Sequence, residues 1–168
     1  MIATAGWLGS LARMDVKRTL RAASGWLELG LAEEAMVELV SLPLESRMKR
    51  SALELKLAAE IERNAWNAAS DTARLLCLKS PKEPEFFLRA AYCLHETGDT
   101  LAARDWLLRG PKELLGMPVF HYNLACYLWT LGEQGRARGH LKRAIAMDET
   151  LMESAKVDSD LAGIVVEG

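Results

Sequence analysis

Apolar residues fall at helical spacing along most of the chain, in blocks that come in pairs. The first pair joins a stripe of Leu20, Ala23, Trp26 and Leu27, running from about Asp15 to Leu29 and ended by Gly30, to a stripe of Ala35, Leu39 and Leu42 that Pro43 stops. Glu33 and Glu34 sit in the first turn of the second helix, where carboxylates meet the positive end of the helix dipole. Further along, Phe86, Phe87, Ala90, Ala91 and Leu94 run from Pro84 to Gly98, and Ala103, Trp106 and Leu107 form the partner stripe, cut short at Gly110-Pro111. The last pair opens at Pro118 with Leu124, Ala125 and Leu128, turns at Gly132, and continues through Ala137, Leu141 and Ala144. Prolines 43, 81, 84, 111 and 118 all fall between predicted pairs. Inside a helix each costs roughly 3 kcal/mol, so their placement independently supports an all-α parse.

Two columns fix the period. Gly30, Asn64, Gly98 and Gly132 lie 34 residues apart (132 − 98 = 34) and are residues that tolerate a left-handed turn; Ala35, Ala69, Ala103 and Ala137 follow each by five. Only the second pair departs from the pattern. One period after Ala23 and Trp26 come Leu57 and Glu60, and a glutamate makes a poor core residue. Shifting by one gives Leu57, Ala58 and Ile61, which predicts one extra residue near Asn64; a rotated first helix is the alternative, and the choice decides whether Glu54 or Leu55 faces a ligand. Trp66, Ala69, Ala73 and Leu76 then return to register. In the last pair Gly135 and Gly139 cost roughly 1 kcal/mol each relative to alanine and predict local fraying. Beyond it, Glu149 to Lys156 adds a further turn or two, and Asp158-Ser159-Asp160 is placed to cap a short segment from Leu161 to Val165.

A 34-residue period of helix, turn and helix resembles the tetratricopeptide repeat, whose motif is W-x2-L-G-x2-Y, A-x3-F and P. Here it reads best as Leu124-Ala125-x2-Leu128, Ala137-x3-Leu141 and Ala144, with His121 in the tryptophan place and Glu149 in the proline place. The resemblance implies a right-handed solenoid of about four repeats, over residues 16–49, 50–83, 84–117 and 118–149. Residues 150–168 would form a capping helix and tail over the last repeat's apolar face. Trp26-Leu-Glu-Leu-Gly30, Tyr92-Cys-Leu-His-Glu96 and Tyr122-Asn-Leu-Ala-Cys-Tyr127 also resemble small bacterial repeat proteins of unassigned function.

By the same resemblance, a partner peptide lies in a concave groove lined by the first helix of each repeat. That groove would present Leu20, Ser24 and Leu27, then Leu88, Tyr92 and His95, then Tyr122, Cys126 and Trp129. Glu28, Glu62 and Glu96 recur at 34 residues as an acidic rim, which suits a peptide with apolar anchors and a basic flank. The lysine, asparagine and arginine of the family's carboxylate clamp have no counterparts at these positions. A non-catalytic interaction scaffold for another protein or peptide is therefore the expected function. Lys82-Glu-Pro84 leading into Phe86-Phe87 resembles the middle repeat of type III secretion chaperones, the first alternative. A self-assembling structural repeat protein, pairing its aromatic face as a homodimer, is the second.

Composition narrows the choice. Basic and acidic residues number 21 and 23, mixed along the chain without a basic block, so nucleic acid is a poor partner. Arg136-Ala-Arg138-Gly-His140-Leu-Lys142-Arg143 is locally basic but reads as a solvated outer face. Cys77, Cys93 and Cys126 sit in apolar stretches without a C-x-x-C, as reduced core thiols of a cytoplasmic protein. His95, His121 and His140 show no zinc-like spacing with them, and no cysteine is marked as an activated nucleophile, so no metal, cofactor or catalysis is expected. Residues 1–15 form a short apolar leader containing Trp7, broken by Gly6 and Gly9 and too short to span a bilayer. Translation from Met14 would leave it out, with the regular helix starting at once.

Overall fold

Four turns share one set of backbone bonds. The N–H groups of Leu31, Ala65, Asp99 and Glu133 donate to the carbonyls of Trp26, Glu60, Leu94 and Leu128 at 2.9, 2.8, 3.1 and 2.8 Å. One residue earlier, Gly30, Asn64, Gly98 and Gly132 donate to Leu27, Ile61, His95 and Trp129 at 3.0, 2.9, 2.8 and 3.0 Å. This pair of bonds closes a helix C-terminus only if the residue past the cap is left-handed. The four φ angles are 72°, 55°, 89° and 80°. The next helix grows from the same turn, with Ala35, Ala69, Ala103 and Ala137 donating back to Leu31, Ala65, Asp99 and Glu133. Each of these alanines is 0% exposed, which leaves no room for a larger side chain.

The computed structural model describes the backbone of residues 3–164 and the side chains of residues 15–164. Among the described residues the chain is all-α, 79% helical, with ten helices and no strand. It forms two compact units, residues 1–72 and 73–168.

The first unit holds α1 (Ala3–Glu28), α2 (Ala32–Ser41), the single turn α3 (Leu44–Arg47), α4 (Arg50–Glu62) and the start of α5 (Trp66–Lys79). Its core gathers Ala23, Ala32, Ala35, Leu39, Leu42, Ala52 and Ala59, with Leu20, Trp26 and Leu27 packed against it. Helix α1 begins at Ala3, not near Asp15, because Gly6 and Gly9 weaken a helix without ending it and no proline intervenes. The side chain of Trp7 lies outside the described residues.

The extra residue expected near Asn64 is not there. Leu57, Ala59 and Glu60 are buried, as are Ala91, Cys93 and Leu94 one period on and Ala125, Tyr127 and Leu128 a period later. Helix α4 is thus neither shifted nor rotated, and Glu54 takes the register position of Leu88 and Tyr122. Glu60 is held in a core column by Lys56, whose Nζ lies 3.2 Å from Oε1 and also donates to Thr72 Oγ1 at 3.0 Å. The other oxygen, Oε2, is buried without a hydrogen-bond partner.

The second unit continues α5 and adds α6 (Pro84–Glu96), α7 (Thr100–Leu108), a 3₁₀ turn (Lys112–Gly116), α8 (Pro118–Thr130) and α9 (Gln134–Met147). Pro84 and Pro118 occupy first-turn positions, where the missing N–H has no intrahelical acceptor to lose. Asp99 caps α7 by accepting from Ala102 N at 3.0 Å. Helix α6 packs on α7, α7 on α8, and α8 on α9. Gly135 and Gly139 do not fray α9, which runs unbroken because buried Ala137, Leu141, Ala144 and Ile145 anchor it.

After α9 the chain makes α10 (Leu151–Val157), packed on α9, and a 3₁₀ turn over Ser159–Leu161, packed on α8. Asp158 caps that turn by accepting from Asp160 N at 2.9 Å, and Gly163 follows with φ 81°. The cap is where the sequence places it. The segment it starts is a single turn, since Gly163 redirects the chain before Val165, which lies outside the described residues.

Candidate peptide-binding face

Tyr122, Cys126 and Trp129 stand at i, i+4 and i+7 on α8, and Leu88, Tyr92 and His95 repeat that spacing one period earlier on α6. Such spacing puts each trio on a single helix face. The turn after α10 lies across it.

Tyr122 donates its hydroxyl to Asp158 Oδ2 at 2.7 Å, and Cys126 Sγ lies 3.9 Å from the same oxygen. Trp129 Nε1 donates to the carbonyl of Ala162 at 3.1 Å, while Arg138 stacks over the indole 5.4 Å from its centre. His95 Nε2 lies 3.0 Å from Asp160 Oδ2, and its Nδ1 is 2.9 Å from Thr100 Oγ1. A carboxylate only accepts, so Nε2 carries the hydrogen. The His95 ring also packs 4.9 Å from that of Tyr127, which is buried. Directly after the second aspartate, Leu161 is 1% exposed. Four polar side chains of α6 and α8 therefore meet two carboxylates and one carbonyl of a five-residue segment whose leucine is buried.

The electrostatics follow. Burial, reinforced by Asp158, pushes both the Tyr122 hydroxyl and the Cys126 thiol well above their ordinary values. Burial also raises Cys77 to about 11. Cys126 and Cys77 therefore stay protonated thiols at neutral pH. None of the three cysteines is in a disulfide. Among the described residues no group of three His, Cys, Asp or Glu side chains is placed to hold a metal ion. No described helix is long and apolar enough to cross a membrane.

The other expected site residues divide. Leu88 is buried and Tyr92 is 39% exposed, its hydroxyl bonded to Glu96 of the next turn. Leu27, Glu28 and Glu62 belong to the first unit. There Leu27 packs on the core, Glu28 accepts from Ser24 Oγ at 3.5 Å, and Glu62 Oε1 lies beside the Gly30 turn. These three are not part of the contact with residues 158–162.

Sequence reasoning placed Asp158 as a cap and missed that the segment it starts occupies the very face assigned to a partner. A signal was present: Leu161 directly follows the acidic pair Asp158 and Asp160, so the cap is joined to an apolar residue able to anchor it. Also missed was the His121–His140 pair. His121 is 1% exposed, its Nε2 donates to Leu115 O at 3.2 Å, and its Nδ1 lies 2.9 Å from that of His140, with the rings stacked.

The fold and the face define an all-α protein of paired helices carrying a polar, aromatic strip on α6 and α8. A scan against protein-family models and a search of curated proteins found no match to the chain.

Proposed function

We propose that the chain is a tetratricopeptide-type helical-repeat module, a non-catalytic, cytoplasmic scaffold that binds another protein through the first-helix face of α6 and α8. The observation that carries this reading is the contact just described. Hydrogen-bond donors on two successive first helices converge on one short segment, whose leucine is buried, as on a surface built to hold a peptide. The recurrence of the same turn at residues 30, 64, 98 and 132 supports the repeat class. The seated segment is acidic, which favours a ligand whose carboxylates meet Tyr122 and His95, beside the basic flank expected from the rim of Glu28, Glu62 and Glu96.

Affinity capture from the host lysate tests the function, comparing wild type with a Leu88→Asp, Tyr122→Asp, Trp129→Asp variant of equal helicity by circular dichroism. A partner held by wild type and lost by the folded variant supports the module. Identical captures from both proteins count against it.

A further inference from the structure

We infer that the face of α6 and α8 is a receptor for acidic segments of the pattern Asp-x-Asp-Leu, and that residues 158–162 are its resident occupant, displaced when a foreign protein presents the same pattern. The inference deepens the proposed function and rests on it.

Three features argue for an exchangeable occupant. First, recognition is polar and directional: Tyr122 Oη, His95 Nε2 and Trp129 Nε1 each meet a different acceptor of the segment. Packing that merely closed a core would need none of them, since apolar contact is not directional. Second, the hold is slight. Leu161 is the one buried side chain of the described tail, whereas Ala162 and Gly163 are exposed and α10 has no buried residue. An open hollow of 170 Å³, lined by Ile145, Met152, Ala155, Lys156 and Ile164, shows that the tail does not fill the space beside α9. Third, everything the segment contributes lies within five residues. An equal stretch of another protein reproduces every contact.

Charge sets the partner's chemistry. His95 Nε2–H and the Tyr122 hydroxyl are donors with no acceptor role toward the segment, and charge-assisted bonds of this kind are roughly twice as strong as neutral ones. A segment without carboxylates at these two places leaves both half-buried donors without their charged acceptors. Tethering gives the resident segment an effective concentration on the order of millimolar, so a free peptide competes poorly until the tail is released.

The test uses the full chain and a labelled peptide spanning residues 156–164. Wild type and an Asp158→Ala, Asp160→Ala, Leu161→Ser variant are titrated by fluorescence anisotropy, with folding checked by circular dichroism. The released variant is expected to bind at least about tenfold tighter than wild type. A control peptide with asparagine at both aspartates is expected to bind it at least about fivefold more weakly. A folded variant that binds both peptides equally overturns the acidic specificity and leaves the binding face standing. One that binds neither overturns the inference and the proposed function together. Should the variant fail to fold, wild type alone decides: excess peptide must raise deuterium uptake of residues 158–164, and unchanged uptake at saturating peptide rejects an exchangeable tail. A wild-type dimer by light scattering, lost in the variant, would instead assign the tail to a neighbouring copy and overturn the resident assignment.

Discussion

Helices α4 and α8 occupy the same place in the period and place their buried polar residue at opposite ends of the core face. At the last-turn column α4 has Glu60 where α8 has Leu128; at the first-turn column α4 has Leu53 where α8 has His121. All four are buried. Glu60 is matched by one ion pair to Lys56, a side chain 42% exposed, and keeps one oxygen without a partner. His121 has both ring nitrogens bonded. The lesson is that register here is set by the left-handed turn and the alanine beside it, not by apolar content. A polar side chain is then tolerated in a core column wherever a neighbour supplies its counterpart.

The sharpest way to break the comparison is to move the glutamate. Leu128→Glu puts a carboxylate into the column of α8, where the residue four positions earlier is Leu124 rather than a lysine. An unmatched buried charge together with the lost leucine is expected to cost more than about 3 kcal/mol. The urea midpoint, read with the m-value, measures it. A loss under about 1 kcal/mol would mean that the column tolerates charge without a counterpart.

Next in size is the pair within α4. Lys56→Met leaves Glu60 buried without its ion-pair partner and should destabilise by about 1–3 kcal/mol, below the roughly 3–5 kcal/mol of a fully buried pair because Lys56 is partly solvated. Glu60→Leu removes the unpartnered oxygen and restores the leucine that α6 and α8 carry, and is expected to be neutral or stabilising by about 1–2 kcal/mol. The double substitution should recover what Lys56→Met alone loses. If Glu60→Leu were the more damaging single change, the ion pair would be a net contributor, and the account of Glu60 as tolerated would be wrong.

Legibility divides along the same line. The four turns and their alanines could be read from sequence because positive φ and lack of space are properties of single positions, and glycine, asparagine and alanine report them. Glu60 misled because its burial depends on Lys56 and on Thr72, which belongs to the next helix, and no periodic pattern marks such a partner. For the face on α8, the stripe of Tyr122, Cys126 and Trp129 was readable from helical spacing. Its occupant was not, since Tyr122 and Asp158 meet across 36 residues outside the repeat. Fraying at Gly135 and Gly139 failed for a related reason: intrinsic propensity is a weak term beside four buried anchors in the same helix.

The smallest expected effect tests how the polar residue of α8 is matched. The Leu115 carbonyl can only accept, so His121 Nε2 carries the hydrogen and its Nδ1 accepts from His140 Nδ1–H. That contact already holds one hydrogen, so a first added proton goes to His140 Nε2, and a second, on His121 Nδ1, would set two N–H groups against each other. Burial first, then the Arg143 charge, lowers His121 below the ordinary 6.5, although its bond to Leu115 opposes the shift. Burial first, then His121, Arg136 and Arg143, lowers His140. Because both values are depressed in the folded state, the unfolded chain binds more protons between them and 6.5. Stability is therefore full above 6.5 and falls as pH drops through that window. Urea midpoints at about pH 7.5 and about pH 5.5 should show the decline, set apart from the carboxylate titrations that begin lower. His140→Asn keeps a donor for His121 Nδ1 and removes one titrating ring, so its decline should be shallower than that of wild type. Equal slopes in the two proteins would detach the pH dependence from the pair, and the matching of His121 would then rest on Leu115 alone.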